Sequence, residues 1–381
     1  MINKKIGILG GGQLGKMLCQ AASKMSLNIH ILDQARSFPA GQICSHFTEG
    51  DFKDPEAVLA FGKEMDLLTI EIEAVNTDAL KELSAEGKDV YPQPEIVEII
   101  KDKGLQKNFY EKNGIPSSPF RLYENKEEIK AALESGELNY PFVQKLRQGG
   151  YDGRGVQVIR SADELPDLLV GPSIIESLVD IDKELSVIVA RNLDGEIKCY
   201  PPAEMIFNHE ANLLDHQICP ARIADDLSDT AIDIATKVAS SYGIVGLLAV
   251  ELFVDQDGMI LVNEVAPRPH NSGHHTIEAA VTSQYEQHLR AILNLPLGDT
   301  GLISNSILLN VLGEKGASGA AQISGLESCL AQKGVHIHLY GKAISKPFRK
   351  MGHVTIIDDD LESALEKSNF VKQNLKVFAH G

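Results

Sequence analysis

The N-terminal quarter of the chain alternates short apolar runs with stretches of helical period: KIGILG, QLGKMLCQAASKM, NIHILD, PEAVLAFGKEM, LLTIEIE, TDALKELSAEG and DVYPQP. Few folds accommodate that rhythm. Strands joined by helix-length crossovers pair in parallel and bury both faces, so the pattern predicts an α/β parallel sheet flanked by helices. Its first turn, IGILGGGQLGKML, places Gly10, Gly12 and Gly15 in G-x-G-x-x-G spacing, and Asp33 ends the next apolar run. That is the arrangement in which an acid grips the ribose of a dinucleotide. A strand-to-helix glycine turn offers backbone N–H groups to any phosphate-bearing ligand, so NAD and a sugar phosphate both fit it. Asp33 also fits a simpler part, capping the next turn. IVEIIKDKGLQKNFYEKNG reads as one further helix stopping at Asn113-Gly114.

Beyond Pro116 the texture changes to a small α+β module with helical segments NKEEIKAALESG and ADELPDLL among short strands. From Glu184 come longer strands, a helix through TAIDIATKVASSYG, the hairpin LLAVELFVDQDGMILVNEVA, and a strand-rich end from about Asn305. With 381 residues and 43% hydrophobic content, the chain can bury several cores. A net charge of −17 repels a nucleic-acid backbone, so nucleic acid is not an expected partner. A small anion remains compatible, because GKAISKPFRKMGH gathers Lys342, Lys346, Arg349 and Lys350 against the overall sign. The five cysteines have no C-x-x-C spacing and read as buried thiols of a reducing compartment. No run reaches ~20 apolar residues and glycines break the first one, so neither a signal peptide nor a membrane partner is expected and the chain is placed in the cytoplasm.

Three segments carry chemistry. In the hairpin, Asp257-Gly258 is a turn signal; a two-residue loop at Gln256 and Asp257 would put Glu251 opposite Val262 and diagonal to Glu264. Two carboxylates on one apolar face repel unless a cation compensates, and with Asn263 beside them they suit Mg²⁺; ordinary surface acids on a solvated edge would read the same way. FVQKLRQGGYDGRGVQVI sets Gly149, Gly150, Gly153 and Gly155 between two strand-like runs. Such a loop approaches phosphates closely, with Lys145 adding charge at the end of the strand; a flexible hairpin is the simpler alternative. APRPHNSGHHTIEA crowds Arg268, His270, Asn271, His274 and His275 into a segment too broken for regular structure. Its spacing fits an anion-handling loop better than zinc. Glu71 and Glu73 lie at a strand end where open α/β sheets bind ligands. Glu176 and Glu184 flank SLVDIDK, a hinge or a linker.

In this order GILGGGQLG, GGYDGRG, NEVAPRPHNSGHHT and YGKAISKPFRKMGH resemble the ATP-grasp superfamily, and more closely its 5-(carboxyamino)imidazole ribonucleotide synthetases of purine biosynthesis, over nearly the whole chain. The resemblance implies an ATP-grasp fold of mixed α/β and α+β class. Residues 1–104 would form a Rossmann-like substrate-binding domain, 105–177 a small central domain and 178–381 a C-terminal domain with a strand-rich subdomain from about 300. It implies that Lys103 and Lys145 contact ATP phosphates beneath a loop containing Gly150, Gly153 and Gly155. Glu176 and Val179 would hold adenine, Glu184 ribose, and His209 and Asn263 further parts of the nucleotide. Glu251 and Glu264 would carry Mg²⁺, with Mn²⁺ as the other candidate. Tyr151, Asp152 and Arg154 would close over the reaction while Arg268, His270 and Asn271 hold its intermediate. Gln13, Leu14, Glu73, Lys342 and Arg349 would bind the ribonucleotide. The chain departs from the family in Lys103, often Arg, in Ile206-Phe207-Asn208 before His209, and in EIE for EFE.

The activity implied is ATP- and bicarbonate-dependent carboxylation of 5-aminoimidazole ribonucleotide through carboxyphosphate, by a homodimer that hands its unstable product to a mutase. Rival readings are a formate-using transformylase of the same architecture, a non-catalytic nucleotide-binding regulator, and an NAD-dependent dehydrogenase. The dehydrogenase leaves the acidic hairpin and GGYDGRG without purpose.

Overall fold

The computed structural model describes residues 3–150, 155–208, 213–316 and 318–379. Its N-terminal sheet comprises β1 (Lys5–Leu9), β2 (Asn28–Asp33), β3 (His46–Glu49), β4 (Leu67–Ile70) and β5 (Asp89–Val90), all parallel in the order β3-β2-β1-β4-β5. Helices α1 (Gln13–Lys24), α2 (Pro55–Lys63) and α3 (Thr77–Ala85) cross between strands. Ile6, Ile8, Ile29 and Ile31 pack on the α1 side, and Leu9, Leu32, Leu68 and Ile70 on the α2–α3 side. Burial on both faces is why the central strands β1 and β4 read as near-continuous apolar runs, whereas the edge strand β3, HFTE, is largely exposed.

The single helix expected after this sheet is two helices, α4 (Pro94–Lys101) and α5 (Lys103–Lys112). Asp102 breaks it: its backbone is extended, and its carboxylate caps α5 by accepting from Gly104 N and Leu105 N. The capping carboxylate also takes a bidentate pair of bonds from Arg147, at 3.0 and 2.9 Å. Lys103 is thereby fixed as the first residue of α5.

The small module forms an antiparallel sheet of β6 (Phe120–Tyr123), β7 (Phe142–Leu146), β8 (Val156–Ile159) and β9 (Ser173–Ser177), in the order β6-β9-β7-β8, with α6 (Lys126–Glu134) packed on it. ADELPDLL, expected as a helix, is a short 3₁₀ segment, Ala162–Asp167, with Pro166 inside it; proline's missing N–H and its ring stop an α-helix there.

The large sheet runs β15 (Ile260–Ala266), β14 (Gly246–Asp255), β10 (Ile181–Arg191), β12 (Ala203–Asn208), β13 (Leu213–Cys219) and β16 (Asn305–Leu312), then through strands Lys350–Asp358 and Val335–Leu339; β11 (Ile197–Cys199) pairs with β10. Leu185, Val187, Val250 and Leu252 pack against Ala231, Ala235 and Val238 of α7 (Asp225–Tyr242). The two-residue period of a strand turns Glu184, Ser186 and Glu251 to the other face. Beyond α8 (Thr276–Ala279), α9 (Gln284–Ile292) packs on both β14 and α1, and Tyr285, Leu289 and Ile292 complete the N-terminal core. The N-terminal and large sheets are therefore joined by a shared apolar interior.

Candidate active site

The hairpin register differs from the sequence expectation. Gly258, at φ +80, closes a three-residue loop, and Asp255 Oδ1 accepts from Asp257 N and Met259 N. Leu252 faces Val262, and a bulge then places Glu251 directly opposite Glu264. Asn263 is the extra residue, and bulges of this kind re-aim side chains beside active sites. Its Oδ1 accepts from Lys145 Nζ at 2.8 Å, so β7 of the small sheet reaches β15 of the large one.

Lys103 forms an ion pair with Glu264, whose side chain remains 41% exposed to the cleft. Burial opposes charge on Glu264, but Lys103 and Lys145 hold its pKa below the usual carboxylate range. Glu251 is raised by burial and by repulsion from Glu264 and Glu184. Glu184, on neighbouring β10, is pushed up to about 7 by burial, with Lys145 pulling the other way. Charge on Glu251 and Glu184 is thus disfavoured, whereas Glu264 is kept ionised by the neighbouring lysines. Among the described residues no set of three or more His, Cys, Asp or Glu side chains forms a metal cage. Two facing carboxylates with the Asn263 amide beside them form a set of hard oxygen donors, the donor type that Mg²⁺ takes.

Glu176 is 4% exposed and shared by two ammonium groups, Lys107 at 2.7 Å and Lys145 at 2.6 Å. Its carboxylate is thus engaged within the protein. Lys107 was missed from the sequence, although it lies one helical turn after Lys103. The nucleotide expectations for Gly150 and Gly155 fall on the loop between β7 and β8, where Gly155 has φ +75 and its carbonyl accepts from Leu146 N at 2.8 Å. Val179 lies between β9 and β10. Tyr151, Asp152, Gly153, Arg154 and His209 lie outside the described residues.

The segment after β15 divides in two. Arg268 bridges to Glu73 at 2.8 Å, joining this segment to the end of the N-terminal sheet. His270 Nε2 lies 3.6 Å from Glu251, and burial, with Arg268 and Lys350, lowers its pKa to about 3. Ser272 N donates to His270 Nδ1, so the neutral ring carries its proton on Nε2, facing Glu251. Asn271 Oδ1 is buried with no partner. His274 and His275 instead turn into the core, both at 1% exposure or less; their Nδ1 atoms meet Tyr285 Oη and the Ser272 carbonyl. That removes them from an anion-handling surface. The core placement also accounts for their lowered pKa values, with burial as the main cause.

The glycine turn after β1 is partly engaged by the protein itself. Gly12 N and Gly15 N donate to Glu71 at 2.7 and 2.6 Å, and Gly11 N donates to Asp33 at 2.6 Å. These three amides are committed to the protein's own carboxylates; those of Gln13 and Leu14, the residues expected to meet the substrate, are not among them. Asp33 also accepts from Gln34 N at 2.7 Å, the turn-capping part expected of it. Leu14 is 6% exposed and belongs to the core, whereas Gln13 is half-buried at the start of α1. Across from this turn, Lys342 Nζ donates to the Lys350 carbonyl at 2.7 Å, and Arg349 Nη1 to the Ile344 carbonyl at 2.7 Å. Burial, then Arg349, lowers the Lys342 pKa to about 8, and Glu71 is close enough to pull it back up. The charge of Lys350 acts on Glu251, His270 and Lys342 together. The sequence marked Lys350 as basic without placing it there.

A small sheet and a large sheet closing on a lysine-rimmed pair of carboxylates, beside a Rossmann-like sheet, define an ATP-grasp ligase. Residues 3–101 match the ribonucleotide synthetase preATP-grasp domain, 108–285 the ATP-grasp domain and 306–367 the phosphoribosylaminoimidazole carboxylase C-terminal domain. An N5-carboxyaminoimidazole ribonucleotide synthase of Bacillus subtilis (strain 168) is 38% identical, over 92% of this chain and 91% of that protein. The crystal structure of N5-carboxyaminoimidazole ribonucleotide synthetase from Thermotoga maritima superposes with a TM-score of 0.91 at 44% identity, covering 99% of this chain and 100% of that one. An Aspergillus clavatus N5-carboxyaminoimidazole synthase, in complex with ADP and 5-aminoimidazole ribonucleotide, gives 0.89 at 33% identity, covering 97% and 98%. The chain spans 66% of the length of a Candida glabrata phosphoribosylaminoimidazole carboxylase, 39% identical over 97% of this chain. The chain belongs to the N5-carboxyaminoimidazole ribonucleotide synthase family. Among the described residues no helix is long and apolar enough to cross a membrane.

Proposed function

We propose that this chain joins bicarbonate to the amine of 5-aminoimidazole ribonucleotide with ATP hydrolysed to ADP and phosphate, in three units of residues 1–104, 105–177 and 178–381. The observation that carries the reading is the Glu251–Glu264 pair, set face to face by the bulge and ringed by Lys103 and Lys145. Glu251 and Glu264 would hold Mg²⁺ or Mn²⁺, which when bound offsets phosphate charge during phosphoryl transfer.

Bicarbonate is a poor electrophile because its carbon bears delocalised negative charge. Transfer of the γ-phosphoryl group to a bicarbonate oxygen gives carboxyphosphate and ADP. The substrate amine then forms the C–N bond at that carbon, or at CO₂ released from it, as the C–O bond to phosphate breaks. The departing phosphate takes the proton lost from nitrogen. Lys145 and Lys103 orient the nucleotide phosphates. Arg268 and Asn271 hold the carboxylated intermediate, and neutral His270 donates a hydrogen bond through Nε2 without adding charge. Lys342, Arg349 and Gln13 bind the substrate phosphate, with Leu14 and Glu73 as further contacts of the ribonucleotide. A homodimer and direct hand-off of the product to a mutase belong to the same proposal.

ADP release measured with and without 5-aminoimidazole ribonucleotide, in bicarbonate or in formate, tests it. Substrate-stimulated release in bicarbonate alone supports the proposal. Stimulation by formate instead favours the transformylase reading, and release indifferent to the ribonucleotide contradicts both.

A further inference from the structure

His270 is held at both its main chain and its ring by buried polar side chains. Gln284 of α9, fully buried, clamps the main chain: its Oε1 accepts from His270 N at 2.9 Å and its Nε2 donates to the His270 carbonyl at 2.7 Å. That leaves the ring free to turn about its side-chain bonds. Ser272 removes the freedom. Because Ser272 N donates to Nδ1, that nitrogen is an acceptor, and Ser272 Oγ, 2.8 Å away, donates to it as well. A hydroxyl has one proton to give, so at the 2.7 Å contact between Ser272 Oγ and Ser186 Oγ the donor is Ser186. Ser272 is pinned in turn, since Gln217 Nε2 of β13 donates to its carbonyl at 2.6 Å. Ser186 and Ser272 are each 2% exposed, so both hydroxyls are shielded from bulk water.

Ser186 on β10 stands in register with Glu251 on β14, as Glu251 does with Glu264 on β15. Residues directly opposite on antiparallel strands share a face. His270 therefore lies across one row of the sheet, with Nδ1 tied through Ser272 to Ser186 and Nε2 3.6 Å from Glu251 on the next strand. The partner of one ring nitrogen sets what the other presents. With its proton on Nδ1, the ring would set an N–H against Ser272 N–H and turn a lone pair toward the Glu251 carboxylate.

We infer that Ser186 is a positioning residue for the reaction: acting through Ser272, it fixes the orientation and tautomer in which His270 presents an N–H toward the Glu251–Glu264 pair. The inference rests on the proposed function only where it concerns turnover.

NMR of the whole chain labelled with ¹⁵N-histidine reads the tautomer, the His270 resonances being assigned by their loss from His270→Ala. Wild type should show a protonated Nε2 and a bare Nδ1. In Ser186→Ala the two nitrogen shifts should move toward each other as the Nδ1–H form becomes populated. With ATP, bicarbonate and 5-aminoimidazole ribonucleotide, Ser186→Ala should lose about tenfold in kcat, as expected from one lost hydrogen bond, with both KM values little changed. A serine that merely supported the fold would lower the melting temperature without moving the ring shifts. Ring shifts equal to wild type in Ser186→Ala would overturn the inference, as would a tautomer shift that leaves kcat unchanged. Should wild type show no turnover, the proposed function falls while the ring shifts still decide the tautomer. If Ser186→Ala does not fold, Ser272→Ala breaks the same chain one link nearer His270, with the same expected result and the same refutation.

Discussion

Replacing Lys107 with methionine removes one of two ammonium groups from a carboxylate with almost no access to water. Lys107 and Glu176 side chains are 3% and 4% exposed and 2.7 Å apart. At that separation and an effective dielectric of about 20, the attraction is roughly 6 kcal/mol before desolvation is counted. Burying the two ions costs several kcal/mol, so the net effect of breaking such a pair is about 3–5 kcal/mol. Here Lys145 stays 2.6 Å from the other oxygen, which moderates the loss to about 2–4 kcal/mol. The same sharing explains opposite electrostatic outcomes. Burial opposes charge on Glu176, but two cations outweigh it and lower its pKa. Lys107 has one anion against burial and repulsion from Lys145 and Lys103, so its pKa is lowered too and its charge is disfavoured. The chain contains no Trp, so unfolding is best followed by circular dichroism. A loss of that size lowers the melting temperature by on the order of 5 °C or more. On the proposed function, Lys145 drawn toward Glu176 should hold the nucleotide less well, so the KM for ATP should rise while that for the ribonucleotide does not. Melting within a degree or so of wild type together with an unchanged KM for ATP would refute the reasoning.

Glu251→Gln and Glu264→Gln should each abolish ADP formation while the circular dichroism spectrum and melting stay close to wild type; substantial turnover at ordinary Mg²⁺ by either variant removes the metal assignment. Lys342 loses its charge as pH rises through about 8, so the ribonucleotide KM should climb above that pH, and Lys342→Arg should flatten the climb because Arg stays protonated. A KM profile identical in the two enzymes contradicts a phosphate contact by Lys342. Glu204 is buried, and although desolvation opposes it, Arg222 and Lys183 hold its pKa at about 2. Its contribution to stability is present above the ordinary carboxylate value of 4.5 and is lost as pH falls from there through about 2. Glu204→Gln should therefore be less stable at neutral pH and show a shallower loss on acidification, which melting curves across that range measure.

Local pattern carried much of this molecule and long-range geometry the rest. The parallel sheet was legible because both-face burial writes near-continuous apolar runs such as IGIL in β1, and Asn113-Gly114 stopped its helix where expected, Gly114 having φ +59. Asp102 was not legible as a break, since a mid-helix acid becomes a cap only when Arg147, distant in sequence, arrives to hold it. The carboxylates of the hairpin were found, but their opposition was not. A two-residue loop and a three-residue loop with a left-handed glycine share the Asp-Gly signal, and the bulge at Asn263 has no composition cue. Lys107 could have been found by its one-turn spacing from Lys103. Glu71 could have been found only by asking which acid reaches the glycine turn from the neighbouring strand, and that requires the order of strands in the sheet.

The proposed function requires this cleft to couple ATP cleavage to carboxylation of an amine. Incubating the protein with ATP, Mg²⁺, ¹³C-bicarbonate and 5-aminoimidazole ribonucleotide, and following the ¹³C spectrum beside ADP, tests it most directly. The expected result is a carbamate carbon bonded to the substrate nitrogen, appearing in step with ADP and absent from Glu264→Gln. ADP formed without any carbamate signal, or a carbamate formed without ADP, would contradict it.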